Sequence, residues 1–269
     1  MNTLEQFRKD ITEYSVNFCR LSAQYDHTID HVVEMETVID AYSKFITDAR
    51  NKDVWEQMEL AKSDGFNRIV EDVRNSSAQC VAIMEKYRAM KLLNGDADKA
   101  DYFNNIESCI EKEFGSFRIT SDSQVIMIGS GSFPMTPILI AKRTGARVVG
   151  IDIDEEAIHL GRQIVERLGD GLRIQLEKVF VEHLDMTKDA THIIFSSTVA
   201  NKYDLLDQLH ALTNEQVVVA MRYGDKLKSL FNYPMKQVDE SKWRLVETVL
   251  RPDHVFDVAL YEKTPVASR

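Results

Sequence analysis

The sequence predicts an α/β chain in two parts: an all-helical N-terminal domain over 1–118, then a doubly wound, mostly parallel sheet with a C-terminal hairpin over 119–269. Three observations predict it. Apolar residues up to Phe114 recur at helical spacing, and no proline occurs before Pro134. Past Gly115, short β-branched runs alternate with amphipathic stretches. One of those runs ends in a glycine turn, and the next one ends in a carboxylate.

In the first part, Leu4, Phe7, Ile11, Tyr14, Phe18 and Leu21 form one helical stripe. Val38, Tyr42, Phe45 and Ile46 lie on a second helix, Ile69 and Val73 on a third, and Ile83, Met84, Tyr87 and Met90 on another. Asn94-Gly95-Asp96 is the clearest break, because Asn and Gly tolerate the left-handed conformation that ends a helix. A last helix is expected over 101–114. The expected strands are 124–128, 147–151, 173–176, 192–195 and 216–221, with 243–249 and 255–262 as a terminal pair joined through Arg251-Pro252-Asp253. This order of elements, hairpin included, resembles the Rossmann-like fold of the class I methyltransferase superfamily.

The chain has 269 residues, of which 44% are hydrophobic, enough for a substantial core. Its net charge of −10 argues against nucleic acid, which is bound through concentrated basic faces, and favours a small metabolite. Cys19, Cys80 and Cys109 lie far apart with no CxxC pair, which suggests a reducing compartment. The N-terminus carries no apolar core segment, and about 18 consecutive apolar residues occur nowhere. A soluble, cytoplasmic protein with no membrane partner is expected, and a homodimer is compatible with the reading.

The run Gln124–Ile128 leads into Gly129-Ser130-Gly131-Ser132-Phe133-Pro134-Met135-Thr136, and Arg147–Ile151 leads into Asp152-Ile153-Asp154. Glycines there let the backbone turn tightly and approach a ligand, and a carboxylate after the second strand accepts hydrogen bonds from a ribose diol. An adenosine-containing ligand follows, against the alternative of a turn made for structural reasons. A nicotinamide cofactor is disfavoured, because proline and methionine stand where the third glycine of GxGxxG belongs. Pro134 suits the first turn of the next helix, whose exposed N–H groups would receive the carboxylate of S-adenosylmethionine. Asp152 is assigned the ribose, while Asp154 either joins it or caps the following helix. Phe180 to Asp185 is where such folds hold adenine. Ser196 and Ser197 follow the fourth strand, as part of the site or as an ordinary capped turn. Arg222 and Tyr223 follow the fifth, Arg222 as a clamp for a substrate carboxylate or as a surface ion pair.

Three segments together resemble the nicotianamine synthase family. Ile128 to Thr136 is similar to its GSGPLPLTS-type turn, Val217 to Arg222 with Phe231-Asn232-Tyr233-Pro234 to its LLVLRSxxGxRxFLYP segment, and Arg251 to Val258 to its HPxxEVxNSV ending. In the helical half, Ala78 to Glu85 falls where the family has a helix whose terminal glutamate handles the amine, and Tyr102 to Ile106 falls at its PYYxNY motif, without the proline and the final tyrosine. Among relatives, the short bacterial staphylopine-type synthases of opine metallophore biosynthesis match in length. This resemblance implies transfer of one 3-amino-3-carboxypropyl (aminobutyrate) group from S-adenosylmethionine, as co-substrate, to the amine of histidine. D-histidine is the expected enantiomer in a group that uses either, and a downstream opine dehydrogenase is the implied partner. It also implies ligand contacts from Gly129, Ser130, Gly131, Phe133, Pro134 and Thr136.

In that reaction the amine attacks Cγ of the methionyl chain and releases 5′-methylthioadenosine. Alignment supplies most of the acceleration. Glu85 is the candidate to orient the amine and take its proton, against the alternative of a solvated helix face. Glu36 and Asn105 are candidate acceptor contacts. His27 and His31, at i and i+4 on an expected helix with Asp26 and Asp30 beside them, have metal-ligand spacing, but a polar helix face explains them and no metal is expected. The rival functions are a small-molecule methyltransferase and a non-catalytic S-adenosylmethionine-binding module.

Overall fold

A computed structural model describes residues 3–60, 64–95 and 118–265. The helix expected over 101–114, Asn105 and Cys109 lie outside the described residues. The chain divides into two compact units. One comprises Met1–Tyr87, Tyr223–Met235 and Arg251–Asp257, the other Arg88–Arg222, Lys236–Leu250 and Val258–Arg269. A single cut at 118/119 does not describe this interleaving, since the helical unit takes in two segments from the second half.

The helical unit is built on α1 (Thr3–Ala23), α2 (Val32–Thr47), α3 (Ala49–Leu60) and most of α4 (Asp64–Asn94). The α1 stripe buries Phe7, Ile11, Phe18 and Leu21, and its rings meet those of α2: Phe7 lies 5.2 Å from Phe45 and Phe18 lies 5.0 Å from Tyr42. Ring pairs at such distances add roughly 0.5–1.5 kcal/mol each beyond the burial of area. Helix α3, for which the sequence offered no stripe, is anchored by buried Trp55 against Phe66, 5.7 Å away. The third and fourth expected helices are one 31-residue element, α4. Its Asn75-Ser76-Ser77 stretch stays helical because the Ser76 hydroxyl donates to Asp72 O and the Ser77 hydroxyl to Arg74 O, so neither competes for a turn. The helix ends at Gly95 in the left-handed conformation (φ 87°), as its sequence indicated. Cys80 is a packing residue: its thiol donates to Phe18 O, and burial pushes it up to about 12.

The C-terminal segments of this unit are tied down by side chains. The Tyr42 hydroxyl donates to Leu230 O at 2.9 Å and Arg74 Nε to Ser229 O. Lys228 Nζ donates to Asp257 Oδ1 at 2.6 Å and to Arg251 O at 2.8 Å.

The second unit holds a seven-stranded sheet: β1 (Gln124–Ile128), β2 (Arg147–Asp152), β3 (Ile174–Lys178), β4 (His192–Phe195), β5 (Val218–Tyr223), β6 (Trp243–Val249) and β7 (Asp257–Lys263), in the order β3-β2-β1-β4-β5-β7-β6. β1 to β5 are parallel, and the terminal β6–β7 pair is antiparallel. The seven strands lie within two residues of their expected starts and ends. Helices α5 (Met135–Thr144), α6 (Glu155–Leu168) and α7 (Lys202–Leu212) are the connections among the parallel strands. Strand β4 is buried from end to end and β1 in all but its first residue, as expected of parallel strands covered on both faces. β1 pairs with β2 on one side and β4 on the other, so the strand order reverses beside β1. Ligands of open α/β sheets bind in the crevice at the carboxyl ends of such strands.

Candidate active site

The glycine turn closes β1 and is held from β2: the Gly129 and Ser130 N–H groups both donate to Ile151 O, at 2.9 and 3.0 Å. Gly129 and Gly131 have φ of 77° and 66°, where side chains are strained. A Cβ on Gly129 would lie 2.8 Å from Val199 Cγ2 and 3.0 Å from Ser196 Cβ, so the turn and the loop after β4 meet at this point. The glycine missing from position 134 has a counterpart on α6. A Cβ on Gly161 would stand 3.3 Å from Gly131 O and 2.8 Å from Leu176 Cδ1, so this residue lets the helix approach the turn. An isolated glycine inside an amphipathic helix was its only signal in the sequence.

Asp152 stands at the end of β2, half-buried. Its Oδ2 accepts the Gly131 N–H at 3.0 Å and its Oδ1 accepts the Asp154 N–H at 3.1 Å, which leaves each oxygen with a further lone pair. Asp154 takes the capping role: its Oδ1 accepts from the Glu156 and Ala157 N–H groups of α6. The Ser130 and Ser132 hydroxyls are buried with no hydrogen-bond partner among the described residues. Buried hydroxyls without partners cost free energy, and a polar ligand in the turn would satisfy them. The residues of the turn therefore fit S-adenosylmethionine.

The start of α5 differs from expectation. Pro134 is the N-cap residue, and Pro137 occupies the first turn. The Met135 N–H donates to Phe133 O at 2.7 Å and the Ile138 N–H to Pro134 O at 3.1 Å, and Pro137 has none. The expected row of N–H groups thus shrinks to that of Thr136. Charge comes instead from β5: Arg222 Nη2 donates to Thr136 Oγ1 at 3.0 Å, which brings a guanidinium to this helix end. Phe133 contributes packing, its ring buried in a cluster with Leu92, Ile138, Leu160 and Ile164. Ser196 and Ser197 are half-buried after β4; the Ser196 N–H donates to Ile128 O at 2.9 Å, and its hydroxyl lies 3.2 Å from Thr198 Oγ1. In the region expected to hold adenine, Phe180 is exposed before a short 3-10 turn over Val181–His183.

In the helical unit, Glu85 is half-buried on α4 beside buried Met84 and Lys86, and is not on a fully solvated face. Glu36 is half-buried on α2, and Tyr223, at the end of β5, is buried. His27 and His31 do not share a helix. They lie in the connection between α1 and α2, where the Asp26 carboxylate accepts the Thr28 N–H and hydroxyl and His27 takes φ 65°. The helix has already ended at Ala23 and this aspartate turn keeps the connection non-helical, so the i, i+4 metal geometry does not arise. Among the described residues, no group of three or more His, Cys, Asp or Glu side chains is arranged to hold a metal ion. Nor is any described helix long and apolar enough to cross a membrane.

No family model matches the chain. Over 192 residues it is 30% identical to the L-histidine 2-aminobutanoyltransferase of Pseudomonas aeruginosa strain PAO1, a match spanning 71% of this chain and 72% of that protein. The chain belongs to the histidine 2-aminobutanoyltransferase family. A second member, from Yersinia pestis, is 28% identical over 217 residues, 80% of each chain. Among solved structures, a glutamate-to-glutamine mutant of the nicotianamine synthase MtNAS superposes with a TM-score of 0.78 over 96% of this chain and 98% of that one. The same mutant in complex with S-adenosylmethionine superposes with a TM-score of 0.71. Sequence identity to both is 16%, so the likeness to MtNAS is one of fold. This chain and nicotianamine synthase therefore share the fold, a helical part with a Rossmann-like sheet, that the sequence predicts.

Proposed function

We propose that this protein transfers one aminobutanoyl group from S-adenosylmethionine to the amine of histidine and releases 5′-methylthioadenosine. The observation that carries the reading is the 30% identity across 72% of a named histidine 2-aminobutanoyltransferase, in a chain whose glycine turn presents two buried hydroxyls suited to a polar ligand. The amine nitrogen forms a bond to Cγ of the methionyl chain while the Cγ–S bond breaks and its electron pair stays on sulfur. Asp152 holds the ribose diol with the lone pairs left beside its two backbone bonds. Arg222 with Thr136 receives a carboxylate at the start of α5, where guanidinium and carboxylate pair by charge-assisted hydrogen bonds. Ser130, Ser132, Ser196 and Ser197 line the donor, and Glu36 and Tyr223 contact the acceptor. Histidine's α-amine is protonated near neutrality, so a base must take that proton before attack. Glu85 fills this role, a contribution of about 10²–10⁴ in rate.

The product keeps a primary amine beside a carboxylate, a group suited to reductive condensation with a 2-oxo acid by a downstream opine-type dehydrogenase. No metal is required in this scheme, and the enzyme works in the cytoplasm. The relatives are named for L-histidine, whereas the family resemblance pointed to D-histidine. Incubation with S-adenosylmethionine and each enantiomer, followed by mass spectrometry, tests the function and its stereochemistry together. Methylthioadenosine formed only when histidine is present is the expected result. S-adenosylhomocysteine would make the protein a methyltransferase, and tight binding without turnover a binding module.

A further inference from the structure

The first residue of α7 is a lysine in a position that ordinary placement rules disfavour. Lys202 is fully buried, and it opens a helix, where the macrodipole opposes a cation. Burial, and after it the charge of Arg222, pulls its pKa from the usual lysine range down to about 7. What favours the ammonium is a set of carbonyls: Nζ donates to Arg222 O at 2.7 Å, to Ser197 O at 2.9 Å and to Ser196 O at 3.3 Å. Three donors thus meet three acceptors. Those acceptors come from two places in the fold, the loop after β4 and the end of β5. An apolar side chain of similar length would leave the Ser196, Ser197 and Arg222 carbonyls without this shared donor, so the lysine is what ties the post-β4 loop to the end of β5.

Each carbonyl belongs to a residue already at the candidate site. Ser196 is hydrogen-bonded to Ile128 and abuts Gly129, and Arg222 reaches Thr136 at the start of α5. On the reading that the glycine turn cradles S-adenosylmethionine, we propose that Lys202 is a positioning residue for the donor substrate. By fixing the carbonyls of Ser196, Ser197 and Arg222 together, it sets the separation between the post-β4 loop and Gly129 and the reach of Arg222 toward Thr136. It holds the methionyl side of the cradle in shape without touching the ligand.

The test compares the wild type with K202M, K202Q and L206A, by calorimetric titration with S-adenosylmethionine and by hydrogen exchange of the ligand-free proteins. Leu206 is buried on the same helix one turn from Lys202, and its truncation opens a cavity without removing a donor to the three carbonyls. K202M is expected to weaken S-adenosylmethionine binding at least about tenfold, as loss of a charge-assisted hydrogen-bond set implies. Its 196–201 amides should exchange faster even without ligand. K202Q, with two N–H donors for three carbonyls, should fall between it and the wild type. L206A should lower Tm yet keep Kd within about twofold. A K202M protein that binds within about twofold of the wild type overturns the proposal, as does an equal loss of affinity in L206A. If K202M does not fold, K202Q decides by the same criterion, unchanged affinity overturning the proposal. A wild type that binds no S-adenosylmethionine overturns the cradle reading itself.

Discussion

The helical and sheet units assemble their functional residues in different ways. In the sheet unit, the glycine turn is made of backbone held by neighbours close in sequence: Gly129 and Ser130 on Ile151, and Gly131 on Asp152, about one strand-helix-strand step away. In the helical unit, side chains do the holding, and their partners come from the far end of the chain. Tyr42 and Arg74 reach the carbonyls of Leu230 and Ser229, and Lys228 bonds Asp257. The fold of the glycine turn itself is therefore held largely by local sequence. The helical unit depends on long-range closure by its own side chains.

Perturbations should separate the two units. The largest effect is expected from E85Q, which removes the proposed base: kcat should fall by about 10²–10⁴ with S-adenosylmethionine affinity within about threefold of the wild type, as steady-state kinetics and calorimetry would show. An unchanged kcat would remove Glu85 from the chemistry. D257A strikes the closure of the helical unit. It leaves the Lys228 ammonium, whose side chain is 10% exposed, without its carboxylate, and denaturant titration should show a loss of about 3–5 kcal/mol. A loss below about 1 kcal/mol would make the pair incidental.

In the sheet unit, burial holds His192 of β4 neutral, with its pKa lowered to about 4 from an unfolded value near 6.5. Because the unfolded chain binds the extra proton first, stability should fall as pH drops from about 6.5 to about 4, by up to about 3 kcal/mol. Urea titrations across that window should show a smaller slope in H192F. G129V places a branched side chain at φ 77° against Val199 and Ser196, and should cost about a hundredfold or more in S-adenosylmethionine affinity. The smallest effect is expected from D154A, which removes the α6 cap and should lower stability by about 1 kcal/mol without moving that affinity. A clear loss of affinity in D154A would restore Asp154 to the donor site.

The same contrast explains what was legible in the sequence. The strands and the glycine turn could be read because β-branched runs, positive-φ glycines and a strand-end carboxylate are local signals. The merger of two expected helices into α4 could not, because the serines in the middle look like breakers until their hydroxyls are seen on helix carbonyls. His27 and His31 misled for the opposite reason: helical spacing was assumed across an aspartate that turns the chain. Gly161 carries only the weak signal of a glycine inside a helix and Lys202 carries none, since each acts on backbone that the fold brings up from other strands. The candidate base and acceptor contacts rest on family resemblance, and Asn105 lies outside the described residues.

The central claim is that the methionyl chain of S-adenosylmethionine, and not its methyl group, reaches histidine. It is tested most directly with S-adenosylmethionine labelled differently in the aminobutanoyl carbons and in the methyl carbon, incubated with the protein and either enantiomer of histidine. The expected product carries one aminobutanoyl label and no methyl label, with the methyl label retained in methylthioadenosine. A histidine product carrying the methyl label, or no transfer to either enantiomer, would contradict it.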